Sequence, residues 1–293
     1  MTRIIQSLAE VSQGYDALYC DLWGCLHNGR AAYPAAVAAL QGFRSGGGRV
    51  VLMTNAPRPN RFVAEQLSRL GVPGDAWDLI VSSGDAAQAG MFSGAVGRKV
   101  YHIGPEKDLG FFTDVPEDFA DAPPITRVPL EEAEGIVCTG PFDDLTETPA
   151  DYRATLLYAK AKGLSLLCSN PDLIVDYGDK RIYCAGAIAA LYDEMGGTSL
   201  YYGKPHPPIY DLARRRLAAI GAEVGNDRIL ALGDGINTDI LGGIGEGIDT
   251  LFVTGGLEAE AFGADVEAPD AARLEAWLDE RQLSPTYSIG RLR

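Results

Sequence analysis

The stretch Asp16-Ala17-Leu18-Tyr19-Cys20-Asp21-Leu22-Trp23-Gly24-Cys25-Leu26 joins a short apolar run to a carboxylate and a glycine. Its first seven residues read as a buried strand, because the run is brief and ends in turn-forming residues. In an open parallel sheet the ligand crevice lies beyond the carboxyl ends of the strands, so Asp21 is aimed at it. A lone Asp at a strand end is more often a turn or capping residue. Asp21 therefore needs partners elsewhere in the chain.

Working outward, residues 34–43 carry Ala, Val, Leu and Phe at helical spacing. Ser45-Gly46-Gly47-Gly48 then supplies glycines suited to a left-handed helix cap, and Arg49-Val50-Val51-Leu52-Met53-Thr54 returns as an apolar strand. That is a βαβ unit on a parallel sheet. A second helix over 60–70 leads to a third strand at Leu79-Ile80-Val81-Ser82-Ser83. Toward the other end, 208–220 is an amphipathic helix, and 228–232 and 250–253 read as further strands. Between these parts lie strands at 99–103, 135–138 and 164–168 and a helix over 150–162, a βαβ set of its own. The pattern predicts an α/β protein with a Rossmann-like parallel-sheet core at 1–85 and 200–293, interrupted by an inserted α/β domain at 86–199. The Pro- and acid-rich residues 115–129 are expected to run over the surface.

A chain of 293 residues that is 46% hydrophobic and 22% charged can bury two cores. Its net charge of -15 repels polyanions and anionic membrane surfaces, which argues against nucleic acid or membrane partners. A small phosphorylated ligand stays open, since a local cation and a metal overcome a diffuse field at short range. Cys20, Cys25, Cys138, Cys168 and Cys184 occur without a CxxC pair, so they read as reduced and mostly buried. The start, Met1-Thr2-Arg3-Ile4-Ile5-Gln6, lacks an apolar core after a basic residue, and a cytoplasmic location is expected.

Three further segments carry chemistry. Leu232-Gly233-Asp234-Gly235-Ile236-Asn237-Thr238-Asp239 ends a strand with two carboxylates, the hard oxygen donors that Mg²⁺ prefers. Thr54-Asn55 offers a hydroxyl and an amide to phosphate oxygens, and Gly203-Lys204-Pro205 puts a cation just before a helix. Each alone reads equally as an ordinary turn or a solvated side chain. The ordered set is what counts.

Asp21-Leu22-Trp23-Gly24, Thr54-Asn55, Gly203-Lys204-Pro205 and Gly233-Asp234-Gly235-x-x-x-Asp239 together resemble the four motifs of the haloacid dehalogenase superfamily, in that family's order. The insert between the second and third motifs, with Thr139-Gly140-Pro141-Phe142 and Ser169-Asn170-Pro171-Asp172 inside it, is similar to class IIA phosphatases with a C2-type cap, such as p-nitrophenyl, sugar and pyridoxal phosphatases. The resemblance covers residues from about 15 to 256. It implies a Mg²⁺-dependent phosphatase of small phosphorylated metabolites in which Asp21 forms an aspartyl-phosphate. Mg²⁺ would be held by Asp21, the main-chain oxygen of Trp23 and Asp234, with Asp239 ligating directly or through water. Lys204 would neutralise Asp21 and the phosphoryl charge as a catalytic group, while Thr54, Asn55 and Lys204 bind phosphate. The substrate loop is expected at 172–186, with Asp176, Tyr177, Lys180, Arg181 and Tyr183. A homodimer is left open.

One position departs from the family. A second Asp normally follows the nucleophile by two residues and serves as general acid and base; here Trp23 stands there, and an indole N–H does not titrate near neutral pH. Cys25 replaces a usual Thr. Three accounts remain: a leaving group that needs no acid, a proton from elsewhere, or binding of phosphorylated ligands without efficient turnover. His27 is the nearest substitute acid, although a surface loop histidine is the favoured reading. A dinucleotide-binding oxidoreductase is set aside, because no G-x-G-x-x-G follows the first strand.

Overall fold

The computed structural model describes residues 2–177 and 180–293. The chain divides into two compact units. One comprises Met1–Thr54, Arg61–Val81 and Tyr210–Arg293, the other Asn55–Asn60 and Ser82–Ile209.

Among the described residues, the first unit is built on a seven-stranded sheet in the order Arg3–Ile4, Tyr287–Ile289, Asp249–Val253, Ile229–Gly233, Ala17–Cys20, Arg49–Thr54, Leu79–Ser82. The pairings from Arg3–Ile4 across to Arg49–Thr54 are all parallel. Parallel strands covered on both faces read as unbroken apolar runs, and every residue of Ala17–Cys20 and Ile229–Gly233 is buried. Leu18, Val50 and Leu230 are fully enclosed, and each such burial is worth roughly 1.5–3 kcal/mol. The helix Pro34–Ser45 starts with proline in its first turn and gives way to Gly47 at φ 97°. Beside Asp249–Val253, an apolar cluster of Ile236, Ile240, Phe252, Phe262, Leu274 and Leu278 is closed by Trp277, stacked on Phe252 at 5.6 Å.

The second unit holds a five-stranded sheet in the order Thr198–Tyr201, Ser165–Cys168, Gly135–Cys138, Lys99–Ile103, Thr126–Arg127, parallel throughout. Successive strand residues point to opposite faces, and the core obeys this. Ile136, Cys138, Leu166 and Cys168 pack with Leu156, Ile188 and Tyr192 from helices Arg153–Ala161 and Ala185–Glu194. Val137 and Leu167 pack on the other face with Ala87, Met91, Phe111 and Phe112.

The structure departs from the sequence expectation in several places, three of them within residues 83–183. The helix Ser83–Phe92 was not read from the sequence, because it is buried on nearly every side and has no apolar stripe. Its start is nevertheless written as a capping box: Ser82 Oγ accepts from Asp85 N at 3.0 Å, and Asp85 Oδ2 accepts from Ser82 N at 3.2 Å. Residues 115–129 are largely exposed as expected, yet they include the edge strand Thr126–Arg127. The segment expected as an irregular substrate loop holds an antiparallel pair, Ile174–Tyr177 with Lys180–Tyr183. All five cysteines are free and buried. No helix among the described residues is long and apolar enough to cross a membrane.

Asp78, just before the strand Leu79–Ser82, accepts from Arg44 Nε and Nη2 at 2.9 and 2.8 Å and from Val50 N at 2.8 Å. Arg49 Nη1 adds a contact of 3.2 Å. Burial pushes this carboxyl up, but Arg44, the Val50 amide and Arg49 together hold it below its ordinary value of 3.8. Replacing Asp78 by Ala is expected to cost about 3 kcal/mol in urea unfolding, because it strands Arg44 and the Val50 N–H. The contribution is full above the ordinary carboxyl pKa and fades as pH falls through the lower folded value, so the gap between parent and Asp78→Ala should narrow in acid.

Candidate functional site

Parallel register sets the site. Cys20 pairs with Leu232, and Asp21 N donates to Leu232 O at 2.9 Å. Asp21 and Asp234 therefore leave neighbouring strands at the same sheet end. Ligand atoms of Asp21, Cys25 and Asp234 all lie within 4.8 Å of one another, and all three residues are buried.

Two glycines make room for this cluster. A Cβ on Gly24, whose φ is 78°, would sit 2.0 Å from Asp234 Oδ2, and one on Gly256 would sit 2.1 Å from the same oxygen. Any side chain at either position would displace the carboxylate. Asp234 Oδ2 is also held by Leu257 N at 2.8 Å. Asp239, expected as a direct or water-bridged ligand, has no oxygen in the cluster of direct ligand atoms. Its Oδ2 accepts from Gly235 N at 3.2 Å and Thr238 Oγ1 at 3.4 Å, and a Cβ on Gly233 would fall 2.0 Å from its Cγ. Asp239 braces the loop that carries Asp234. Gly235 O also accepts from Ile240 N at 3.2 Å, a widened turn of the kind often found at functional sites.

The cluster suits a hard divalent cation. Two carboxylates 4.8 Å apart or closer repel by about 3 kcal/mol at an effective dielectric near 20, and a cation between them removes that penalty. Cys25 was not chosen as a ligand from the sequence. Burial, then Asp234 and Asp21, push its thiol well above its ordinary pKa, so it stays protonated and offers no thiolate to a soft metal.

Trp23 is half exposed and His27 is almost wholly buried. The segment folds back on itself: Gly24 N donates to His27 O at 2.9 Å, and His27 N to Leu22 O at 3.1 Å. The indole crosses the His27 ring edge to face at 5.6 Å and lies against Gly29, where a Cβ would come within 2.2 Å of it. The surface-histidine reading of His27 is thus overturned. Its Nδ1 accepts from Gly29 N at 3.1 Å, which puts the proton of the neutral ring on Nε2. Burial lowers its pKa to about 4, so it carries no transferable imidazolium proton near neutral pH.

Thr54 ends the strand Arg49–Thr54 in the first unit, whereas Asn55 and Lys204 belong to the second. Asn55 Nδ2 donates to Asp172 Oδ1 at 2.8 Å and to Lys204 O at 3.0 Å, while Asn55 Oδ1 accepts from Lys204 N at 2.7 Å. Both amide hydrogens are taken up within the protein. The expected use of this side chain on phosphate oxygens is not what the structure shows, and only the Asn55 main-chain N–H keeps that role open. Of the expected substrate residues, Tyr183 is exposed, and the side chains of Asp176, Tyr177, Lys180 and Arg181 lie outside the described residues.

A family model for haloacid dehalogenase-like hydrolases matches residues 18–115, and a HAD-hydrolase-like model matches 201–274. A haloacid dehalogenase-like hydrolase from Brucella suis is 38% identical, with a TM-score of 0.82 over 99% of this chain and 100% of that one. A possible sugar phosphatase of the same superfamily from Cytophaga hutchinsonii is 18% identical, with a TM-score of 0.75 over 100% of both chains. The glycerol phosphate phosphatase of Mycobacterium tuberculosis, solved with magnesium, is 23% identical, with a TM-score of 0.66 over 97% of this chain and 77% of that one. No curated protein matches the chain.

The His27 environment has a direct readout. In an NMR titration, His27 should remain neutral with its proton on Nε2 and titrate near 4 rather than at its ordinary 6.5. The unfolded chain takes up this proton first, so the burial contributes fully above 6.5 and is lost as pH falls toward 4. A midpoint near the ordinary value would place the ring in solvent.

Proposed function

The chain belongs to the haloacid dehalogenase-like hydrolases, and from that premise we propose that it is a Mg²⁺-dependent phosphatase of small phosphorylated metabolites that works best on esters with good leaving groups. The observation that carries this reading is the convergence of Asp21 and Asp234 at one sheet end, framed by Gly24 and Gly256.

Asp21 is the nucleophile. One carboxylate oxygen attacks phosphorus in line, an Asp21 O–P bond forms, and the ester P–O bond breaks with its electron pair leaving on the alcohol or phenol oxygen. Water then attacks the aspartyl-phosphate, releasing phosphate and restoring the carboxylate. Asp21, Asp234 and the main-chain oxygen of Trp23 would hold Mg²⁺, which when bound offsets negative charge on the phosphoryl oxygens. Asp239 acts by fixing the loop that carries Asp234. Lys204 supplies a cation to the transferring phosphoryl group, and the Thr54 hydroxyl with the Asn55 main-chain N–H orients its oxygens.

Residues 86–199 act as the cap on a core formed by 1–85 and 200–293, and the Ile174–Tyr177 and Lys180–Tyr183 pair, with Tyr183 exposed, selects the leaving group. Neither ring in the Trp23 to His27 segment can protonate that leaving group: the indole does not titrate and the imidazole is already neutral. This favours activated esters, or retention of phosphorylated ligands with slow turnover.

Two measurements test the reading. Asp234→Ala should abolish Mg²⁺ binding in calorimetry without unfolding the chain, and parent-like affinity in that variant would remove Asp234 from the metal site. Restoring Trp23→Asp should raise turnover of alkyl phosphates by about 10² to 10⁴, and turnover of p-nitrophenyl phosphate by less than about tenfold, since only an alkoxide needs a proton in the transition state. An equal gain on both esters would mean that Trp23 acts on cation geometry instead. If the parent turns over neither ester with Mg²⁺ yet binds orthophosphate in a metal-dependent way, the protein is a binding protein.

A further inference from the structure

We infer that Asp172 is a positioning residue for Lys204, acting through the side-chain amide of Asn55; this rests on the phosphoryl role proposed for Lys204. Asn55 grips one peptide segment at two points, accepting from Lys204 N at 2.7 Å and donating to Lys204 O at 3.0 Å. Such a two-point contact sets the direction in which the Lys204 main chain presents its side chain. It works only with the amide in one orientation, because a flipped amide would face donor to donor and acceptor to acceptor.

Asp172 selects that orientation. Its Oδ1 takes the remaining Nδ2 hydrogen at 2.8 Å, and a carboxylate oxygen can only accept. Without this acceptor the second amide hydrogen loses its partner, and the preference for one face of the amide weakens.

The main chain around Asp172 is itself held firmly. Asn170 Oδ1 accepts from Asp172 N at 3.0 Å, and Cys184 N donates to Leu173 O at 3.0 Å. The chain at Gly186 passes so close beneath that a Cβ there would fall 2.1 Å from Pro171 O and 2.6 Å from Asp172 O. On the other side, a Cβ on Gly203 would meet Asn55 Oδ1 at 2.5 Å, Pro171 Cδ at 2.6 Å and Ser83 Oγ at 2.7 Å. Gly203-Lys204 therefore runs in a slot whose walls are Asn55, Pro171 and Ser83. Asn55 and Lys204 are both nearly fully buried, so solvent does not replace a lost contact.

The relation also links two parts of the sequence with separate tasks. Asp172 stands two residues before the strand Ile174–Tyr177, so the same turn that orders Lys204 begins the segment proposed to select the leaving group. A misplaced Lys204 weakens charge offset in the transition state more than it weakens ground-state binding.

The test compares kcat and KM for p-nitrophenyl phosphate. Asp172→Ala should lower kcat about ten- to hundredfold with a smaller change in KM, the size expected for a catalytic group displaced by about an ångström. Asp172→Asn, which keeps an acceptor oxygen in place, should stay within about threefold of the parent. Asp172→Glu keeps the charge but moves the acceptor by one methylene, and should lose about tenfold even where Asp172→Ala does not fold. Calorimetric Mg²⁺ affinity should be unchanged in all three. In a double-mutant cycle, Asp172→Ala should add little to the loss already caused by Asn55→Ala. Parent-like kcat in both Asp172→Ala and Asp172→Glu, or simple additivity with Asn55→Ala, overturns the inference. If Lys204→Met retains the parent rate, the phosphoryl role of Lys204 has failed and the positioning falls with it. If Lys204→Met loses the rate while the Asp172 variants keep it, the positioning alone is overturned.

Discussion

The pairing of Cys20 with Leu232 is the constraint on which the first unit's chemistry depends. Parallel strands in register end together, so the residues that follow them emerge side by side at one end of the sheet. A slip of one residue would turn every side chain of Ala17–Cys20 to the opposite face and carry Asp21 out of reach of Asp234. The apolar burial that locks this register therefore also sets the spacing of two carboxylates. Their mutual repulsion is a cost that the core bears and that a cation between them would remove.

Small residues carry the rest of the burden. The family motif writes glycine at 24 and 235 as if for flexibility, but the structure assigns them different work. Gly24 needs both its positive φ and its missing side chain, because the Asp234 carboxylate fills the space where a Cβ would be. Gly233 and Gly235 have ordinary φ values and serve by leaving room for Asp239 and Thr238 to fold over the loop. The braced loop and the clamped Gly203-Lys204 segment share one logic: a charged group is aimed by fixing the main chain that carries it. Side-chain rotamers then have little freedom left to lose.

Much of this was legible in the sequence. Strands with continuous apolar runs, such as Ala17–Cys20 and Gly135–Cys138, announce themselves because nothing polar interrupts them. The motif residues Asp21 and Asp234 were legible for a related reason, as carboxylates at the ends of such runs. The helix Ser83–Phe92 was hidden by its burial, since periodicity marks only a helix with a wet face. The edge strands Arg3–Ile4 and Thr126–Arg127 have two residues each, too short for any alternating pattern to show. The partners of Asn55 could not be read at all. They lie 117 and 149 residues away, and no local rule connects an amide to a carboxylate or a peptide at that distance. His27 failed differently: its residue type argues for exposure, while the fold-back beneath Trp23 decides for burial.

That fold-back makes the tryptophan more than a missing acid. The indole occupies space left by Gly29 and covers one face of His27, and the low pKa of the imidazole comes from that enclosure. The two departures from an acid-bearing site are therefore coupled. Trp23, at the position where the family motif is expected to carry a carboxylate, also helps hold the nearest titratable ring neutral. A phosphatase working as proposed would still form and hydrolyse an aspartyl-phosphate, because nucleophilic attack by Asp21 and offset of phosphoryl charge need no proton transfer. What it loses is assistance to the departing oxygen and to the incoming water. On that proposal the burden falls on the substrate, whose leaving group would carry its own negative charge, and the chemistry of that group would govern the rate more strongly than the fit of the phosphoryl end.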